Sequence, residues 1–357
     1  MNEQTIEINL TTNKKEKPNP EQLSFGKVFS DHMFTLNYSE GKGWHDPKII
    51  PYQPISLDPA AMVFHYGQTV FEGLKAYLSE EGKALLFRPT KNVERLNQSN
   101  QRLCIPHIDE ELVLAGLKKL VEIDKEWIPT APGTSLYIRP FIIPTEAYLG
   151  VAPSQHYQFI IILSPVGSYY KEGINPVKIH VENQYVRAVS GGTGKAKTGG
   201  NYAASLKAQE VASTKGFSQV LWLDGVEKKY IEEVGSMNIF FKVNGEVITP
   251  ALNESILEGV TRNSVIQLLK YWEVPVVEKK IAIEELFEWY SNGLVEEVFG
   301  TGTAAVISPV GELSWHGENI VINNGETGPI AKKLYDTLTG IQKGAEPDYF
   351  EWTVTVD

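Results

Sequence analysis

The chemistry in this sequence is concentrated in residues 190–209, SGGTGKAKTGGNYAASLKAQ. There Gly191, Gly192, Gly194, Gly199 and Gly200 crowd around two lysines, Lys195 and Lys197. Glycine at that density permits positive φ and close approach of the backbone to a ligand. A helix rich in Ala, Leu and Lys is predicted to begin near Tyr202. A lysine among glycines is unhindered and able to swing between a cofactor and a substrate. If its pKa is lowered, the neutral amine attacks an aldehyde to give a Schiff base. The segment also contains GTGK, which invites a P-loop reading. That reading fails on spacing: the position five before the Gly-Lys pair is Val189, not glycine, and Ala196 follows the lysine in place of Ser or Thr.

A second signal is YIEEVGSMNIFFKV, residues 230–243, read as one strand-like run with Glu232 and Glu233 side by side. Neighbouring strand residues face opposite sides, so one acid can point inward while the other meets solvent. A buried carboxylate needs a positive partner, and a protonated pyridine nitrogen is one. A third signal is anion capture. Glu258-Gly259-Val260-Thr261 precede a helix whose free amides and dipole favour a phosphate. Residues 299–305, FGTGTAA, form a second Gly/Thr turn, and Arg88 stands between an apolar strand and Pro89. Taken singly, each segment also reads as an ordinary loop, an edge-strand pair or a solvated arginine.

The elements that must position these residues are those of a chain of 357 residues, a length that predicts two domains. Strands are predicted at 84–87, 135–143, 157–165, 178–181 and 219–224. Helices are predicted at 92–101, 110–126, 259–272, 283–292 and 329–343. The interleaving of strands and helices points to an α/β or α+β class with mixed sheets. The division expected is a polar, mobile tail over 1–22, a smaller α/β domain over 23–166, a turn-rich linker over 167–184 and a larger domain over 185–357. With 33 Lys and Arg against 44 Asp and Glu, the net charge of −11 argues against nucleic-acid backbone as a partner. The single cysteine, Cys104, excludes an intrachain disulfide and a Cys-rich zinc site. The seven histidines show no metal-ligand spacing, and no G-x-S-x-G elbow occurs. No signal-peptide core or bilayer-length apolar run is present, so a cytoplasmic protein that does not enter a membrane is expected.

Together these segments resemble the branched-chain aminotransferases, pyridoxal-phosphate enzymes of the D-amino-acid-aminotransferase-like fold (fold type IV). The resemblance runs from about Phe25 to about Gly344. It is carried by FGKVFSDHM, HYGQTVFEGLKAY, LFRPTKNVERLNQSNQRLCIP, SLYIRPFI, KTGGNYAAS, EEVGSMNIFF, ILEGVTRNSV and FGTGTAA in that order. Length and the FGKVFSDHM opening look more like the longer, eukaryote-like branch. The nearest rivals share the fold: a D-amino-acid aminotransferase or an aminodeoxychorismate lyase.

The resemblance implies roles. Lys197 matches the lysine that holds the pyridoxal 5′-phosphate aldehyde as an internal aldimine and shuttles the Cα proton; Lys195 has no counterpart and is a loop lysine. Tyr202 matches the tyrosine on the phenolic oxygen of the ring, and Glu233 the glutamate on the pyridine nitrogen, with Glu232 as its outward neighbour. Arg88 and Arg187 match phosphate-side arginines, Val260 and Thr261 the backbone phosphate clamp, and Thr303 a phosphate-side hydroxyl. Ala304 lies in the turn that meets the substrate carboxylate. Phe25, Tyr66, Phe71 and Tyr137 match an aromatic wall for the branched side chain. Tyr137 and Arg139 are the nearest donors for the second carboxylate of glutamate. The implied reaction passes the amino group of leucine, isoleucine or valine to 2-oxoglutarate. The Tyr137 segment and the loop near Leu149-Gly150-Val151 imply a homodimer. Mammalian relatives carry a Cys-x-x-Cys where this chain has Ala305 and Ser308, so no thiol switch is expected there.

Overall fold

The computed structural model describes residues 4–167 and 174–356. The chain divides into two units. The first takes in Met1–Tyr169, Ala196–Gly199 and Gly340–Asp357; the second takes in Tyr170–Lys195 and Gly200–Thr339. The predicted linker 167–184 lies partly outside the described residues.

In the first unit a nine-stranded sheet runs in the order Glu7–Ile8 (β1), Gly43–Pro51 (β3), His32–Ser39 (β2), His156–Val166 (β8), Ser135–Pro144 (β7), Leu74–Leu78 (β5), Ala84–Phe87 (β6), Thr353–Val356 (β18). Val70–Phe71 (β4) also pairs with β7. Alternation along β7 sets the two faces. Leu136, Ile138 and Ile142 join Phe159, Ile161 and Leu163 of β8 in the core, which leaves Ser135, Tyr137 and Arg139 on the opposite face. The core is closed by Val93 and Leu96 of helix α2 (Pro89–Arg102) and by Val113, Leu117 and Leu120 of α3 (Glu110–Ile123). Gly116 of α3 has no side chain because a Cβ there would lie 2.6 Å from the Phe34 ring. The short helix α1 spans Val63–Tyr66.

Two expectations change here. Residues 340–357 belong to the first unit, not to a 185–357 domain, because β18 pairs antiparallel with β6 from Thr353↔Phe87 to Val356↔Ala84. The amino-terminal segment from residue 4 onward is polar but docked. β1 pairs parallel with β3, and Ile6 packs on the core. The Thr11 amide donates to Nε2 of buried His32 (2.9 Å), whose Nδ1 faces Asp124 at 2.7 Å. The Lys15 amide donates to Asp31 (2.8 Å).

The second unit is built on another nine-stranded sheet. Its order is Ile231–Val234 (β11), Gln219–Leu223 (β10), Val177–Val181 (β9), Val306–Trp315 (β16), Val295–Gly302 (β15), Asn238–Val243 (β12), Glu246–Pro250 (β13), Val276–Lys279 (β14), with Glu318–Val321 (β17) on β16. Pairs β9–β10, β9–β16 and β13–β14 are parallel. The predicted single run 230–243 is two strands. Val234 and Met237 exchange backbone hydrogen bonds of 2.9 Å across Gly235-Ser236, and Gly235 takes φ +56°. Helix α4 (Gly199–Thr214) lays Ala208 and Ala212 on Val220 and Trp222. Helices α5 (Val260–Tyr271) and α6 (Ile283–Ser291) belong to this unit, as does α7 (Pro329–Lys343) as far as Thr339. Among the described residues no helix is long and apolar enough to cross a membrane, and no group of three or more His, Cys, Asp or Glu could hold a metal ion.

Candidate active site

Lys197 is fixed through its backbone. Its amide donates to Ser99 Oγ of α2 (2.9 Å), and its carbonyl accepts from the Phe71 amide (3.0 Å). The next residue, Thr198, bridges to Val70 and donates its hydroxyl to the Thr69 carbonyl (2.7 Å). The Lys197 ammonium lies 4.9 Å from the centre of the Phe71 ring, a cation–π distance. The charge of Lys197 also acts on Glu72. Burial would raise the Glu72 carboxyl, but Arg95, Lys197 and Asn92 outweigh it and hold it below the ordinary carboxylate range.

The predicted aromatic wall gathers in the same unit. The Phe25 ring meets the Tyr137 ring edge-on at 4.9 Å. Arg139 donates to the Tyr137 hydroxyl (3.2 Å), and its guanidinium lies 4.8 Å from the Phe71 ring centre. Gly73 makes room for this: a Cβ there would lie 2.0 Å from the Tyr137 hydroxyl. Tyr66 stands apart on α1, half-exposed, donating to the Leu149 carbonyl. Arg88 occupies the residue before α2 with φ +49°, 5.1 Å from the Trp352 ring. Pro89 disfavours the right-handed helical region at that position. A non-glycine residue in the left-handed region is uncommon, and such strain gathers at ligand-binding positions.

In the second unit the hairpin β11–β12 presents the acids. Glu233 is buried beside Arg187, Nε to carboxylate 2.5 Å. Both line a pocket with Asn201, Tyr202, Gly235 and Leu257. The sequence put Arg187 on the phosphate side; the structure commits its guanidinium to Glu233 and to the carbonyls of Gly194 and Ser255. Glu232 is not the solvent-facing neighbour expected. It is as buried as Glu233, at 3% exposure, because its side of β11 is covered by the 253–255 turn, where Asn253 and Ser255 both donate to it.

Asn238, to which sequence reasoning gave no role, ties the pocket to the helix start. Its amide nitrogen donates to Glu233 Oε1 (3.2 Å) and to the Leu257 carbonyl (2.9 Å). Gly259 allows this approach, since a Cβ there would lie 2.1 Å from Asn238 Oδ1. Gly259 then opens α5 with no side chain capping the first turn, so Val260 and Thr261 stand at an uncapped helix N-terminus suited to an anion. Thr303 and Ala304 form part of the turn from β15 to β16, half-buried. On β15, the Thr301 hydroxyl is buried with no partner among the described residues. The only signal for Asn238 in the sequence was its place in GSMN after the paired acids.

The glycines before Lys197 have a packing reason. A Cβ on Gly194 would lie 2.4 Å from the Ser255 Cα. Glu254 draws in the loop by accepting from the Gly191 amide (2.8 Å) and the Ser190 hydroxyl (3.0 Å), while its carbonyl accepts from the Lys195 amide (3.0 Å). Lys195 itself is exposed, as a loop lysine should be. Within the second unit, the buried Glu233 in one pocket with Tyr202, and the uncapped start of α5, are groups that fit the ring and the phosphate of pyridoxal phosphate.

Comparison with known proteins gives the family. Residues 69–313 match the family model described as Amino-transferase class IV. The branched-chain-amino-acid aminotransferase 2 of Bacillus subtilis is 72% identical over 100% of this chain and 98% of its own length. The solved branched-chain amino acid aminotransferase of Escherichia coli superposes with TM-score 0.77 at 26% identity, covering 92% of this chain and 99% of its own. The solved T.th. enzyme complexed with N-(5′-phosphopyridoxyl)-L-glutamate gives TM-score 0.73 at 27% identity, covering 90% and 98%. The chain belongs to the class IV aminotransferases, and within them to the branched-chain-amino-acid aminotransferases. A bacterial relative of this length shows that the long form is not confined to eukaryote-like sequences.

Proposed function

We propose that the chain moves the amino group of L-leucine, L-isoleucine or L-valine to 2-oxoglutarate, giving the branched-chain 2-oxo acids and L-glutamate, with pyridoxal 5′-phosphate as cofactor. The observation that carries this is the buried Glu233 carboxylate in a pocket it shares with Tyr202 and Arg187. When bound, the cofactor supplies an electron sink for the Cα carbanion. The chain's residues do the rest. With the cofactor bound, Lys197 Nζ would hold its aldehyde and, once freed, would carry the proton between the substrate Cα and the cofactor C4′. Glu233, beside Arg187, would be the carboxylate partner of the ring nitrogen. Tyr202 donates to the ring's phenolic oxygen. The amides at Val260 and Thr261, the Thr303 hydroxyl and Arg88 take the phosphate. The turn at Ala304 meets the substrate carboxylate.

Phe25, Phe71 and Tyr137 exclude water from the branched side chain, with Tyr66 set apart on α1. An apolar wall discriminates a methylene by only about 1–3 kcal/mol, so all three branched substrates are accepted. Arg139, on the Tyr137 hydroxyl, meets the second carboxylate of glutamate. A homodimer is supported by exposed apolar residues in the first unit, Phe64 at 61%, Leu149 at 66% and Val151 at 88%. A cytoplasmic location fits the single cysteine.

The test is the visible spectrum of the purified protein with pyridoxal phosphate, followed by L-leucine without an oxo acid. A yellow band that bleaches with leucine, and that Lys197→Ala abolishes, is expected. A band indifferent to L-leucine but bleached by D-alanine would refute the substrate class. A protein that stays colourless would refute the cofactor.

A further inference from the structure

We propose that the buried Glu72–Arg95 pair, together with Ser99, is a positioning device that sets Lys197 and the substrate wall from a single anchor. The inference rests on the reading of Lys197 as the reactive amine. Glu72 lies between the two residues that touch those parts. Phe71 holds the Lys197 carbonyl with its amide and faces the ammonium with its ring. Gly73 is the residue whose missing side chain lets the Tyr137 hydroxyl in. A shift of this tripeptide therefore moves lysine and wall together.

Glu72 is held from several sides. It is 1% exposed and receives Arg95 Nε at 2.8 Å and Nη2 at 2.9 Å, a two-pronged guanidinium contact. Asn92 donates at 2.8 Å and the Gly73 amide at 3.1 Å. Its own amide donates to the Pro140 carbonyl (2.7 Å). Asn92, Arg95 and Ser99 project from one helix, α2, so the tripeptide is referenced to that helix. Ser99 continues the line: its hydroxyl donates to the Arg95 carbonyl (3.0 Å) and accepts from the Lys197 amide (2.9 Å). A buried ion pair is weak support for stability, and its use here is to fix geometry. Glu72 at 1% and Arg95 at 7% exposure are both committed to these partners, so the role is to position, not to react.

The test uses the full chain with added pyridoxal phosphate. Borohydride fixes the cofactor on lysine as a secondary amine, and mass spectrometry locates it. Wild type is expected to be labelled at Lys197. Ser99→Ala leaves the ion pair intact and is expected to be labelled about tenfold more slowly, the effect of losing the hydrogen bond that holds the Lys197 amide, with an unchanged KM for leucine. Glu72→Gln is expected to slow labelling and raise the KM for leucine together. Thr249→Val, which removes an equally buried hydroxyl that bonds the Ile239 carbonyl, is expected to label as wild type does. Wild-type labelling elsewhere than Lys197 overturns both the amine assignment and this inference. Ser99→Ala labelled at the wild-type rate overturns the inference alone, whether or not Glu72→Gln folds.

Discussion

Replacing Lys75 by methionine is expected to stabilise the protein at neutral pH. Lys75 lies in β5 at 9% exposure, opposite Tyr137 in the β5–β7 pairing. Burial, with the like charge of Lys343 behind it, pushes its ammonium down from 10.5 to about 8. At about 1.4 kcal/mol per pH unit, that displacement is worth about 3 kcal/mol against the folded state while the amine is protonated in both states. Because the folded pKa is the lower one, the unfolded chain holds more protons between pH 8 and 10.5, and stability rises with pH across that window. Below pH 8 the full penalty applies. Methionine keeps an unbranched stem and carries no charge. The gain should therefore be up to about 3 kcal/mol at pH 7 and shrink steadily as pH passes from about 8 towards 10. Urea unfolding of both proteins at each pH, followed by far-UV circular dichroism, measures it. Taking the difference cancels other groups, such as Tyr157, which burial raises to about 12. A gain that does not change from about pH 7 to 10, or a loss at pH 7, would refute the reasoning.

Other perturbations have defined outcomes. Asn238→Ala removes the donor to Glu233 and leaves the Leu257 carbonyl without that partner. A loss of about 2–4 kcal/mol in urea unfolding and about tenfold weaker cofactor binding by absorbance titration are expected. Gly194→Ala would set a methyl 2.4–2.7 Å from Ser255 backbone atoms; overpacking of about 1–3 kcal/mol should appear as a lower melting temperature. Glu297→Gln weakens the carboxylate that accepts from the Ile330 and Ala331 amides at the start of α7 (3.0 and 2.9 Å). A loss of about 0.5–2 kcal/mol, seen by chemical denaturation, is expected for that charged helix-start contact.

Much of this architecture is legible in the sequence where one periodicity governs. Helix α7 occupies 329–343 as predicted, because its apolar residues recur at helical spacing and Pro329 opens it. Ala84–Phe87 reads as a short strand because four apolar residues are bounded by Lys83 and Arg88. The motifs around Lys197 and Glu233 are legible because chemistry restricts the residue types. What local pattern cannot hold is pairing at long range. The turn at Gly235-Ser236 is hidden by strand formers on both sides, so two strands read as one. Glu232 looks solvent-facing until a turn about twenty residues later covers it. Polar residues 4–22 give no hint that Asp31, His32 and Asp124 will fasten them. Asn238 acquires its place only when hairpin, Leu257 and Gly259 converge.

The pairing of β18 with β6 also orders the events of synthesis. Thr353 meets Phe87, so the strand that closes this edge leaves the ribosome after every strand of the second sheet has been made. Until then Ala84–Phe87, four apolar residues that end fully enclosed, present an open edge of the kind that recruits foreign strands. A nascent or truncated chain lacking residues 353–356 thus offers an aggregation template, and a chaperone client, that the finished chain has withdrawn.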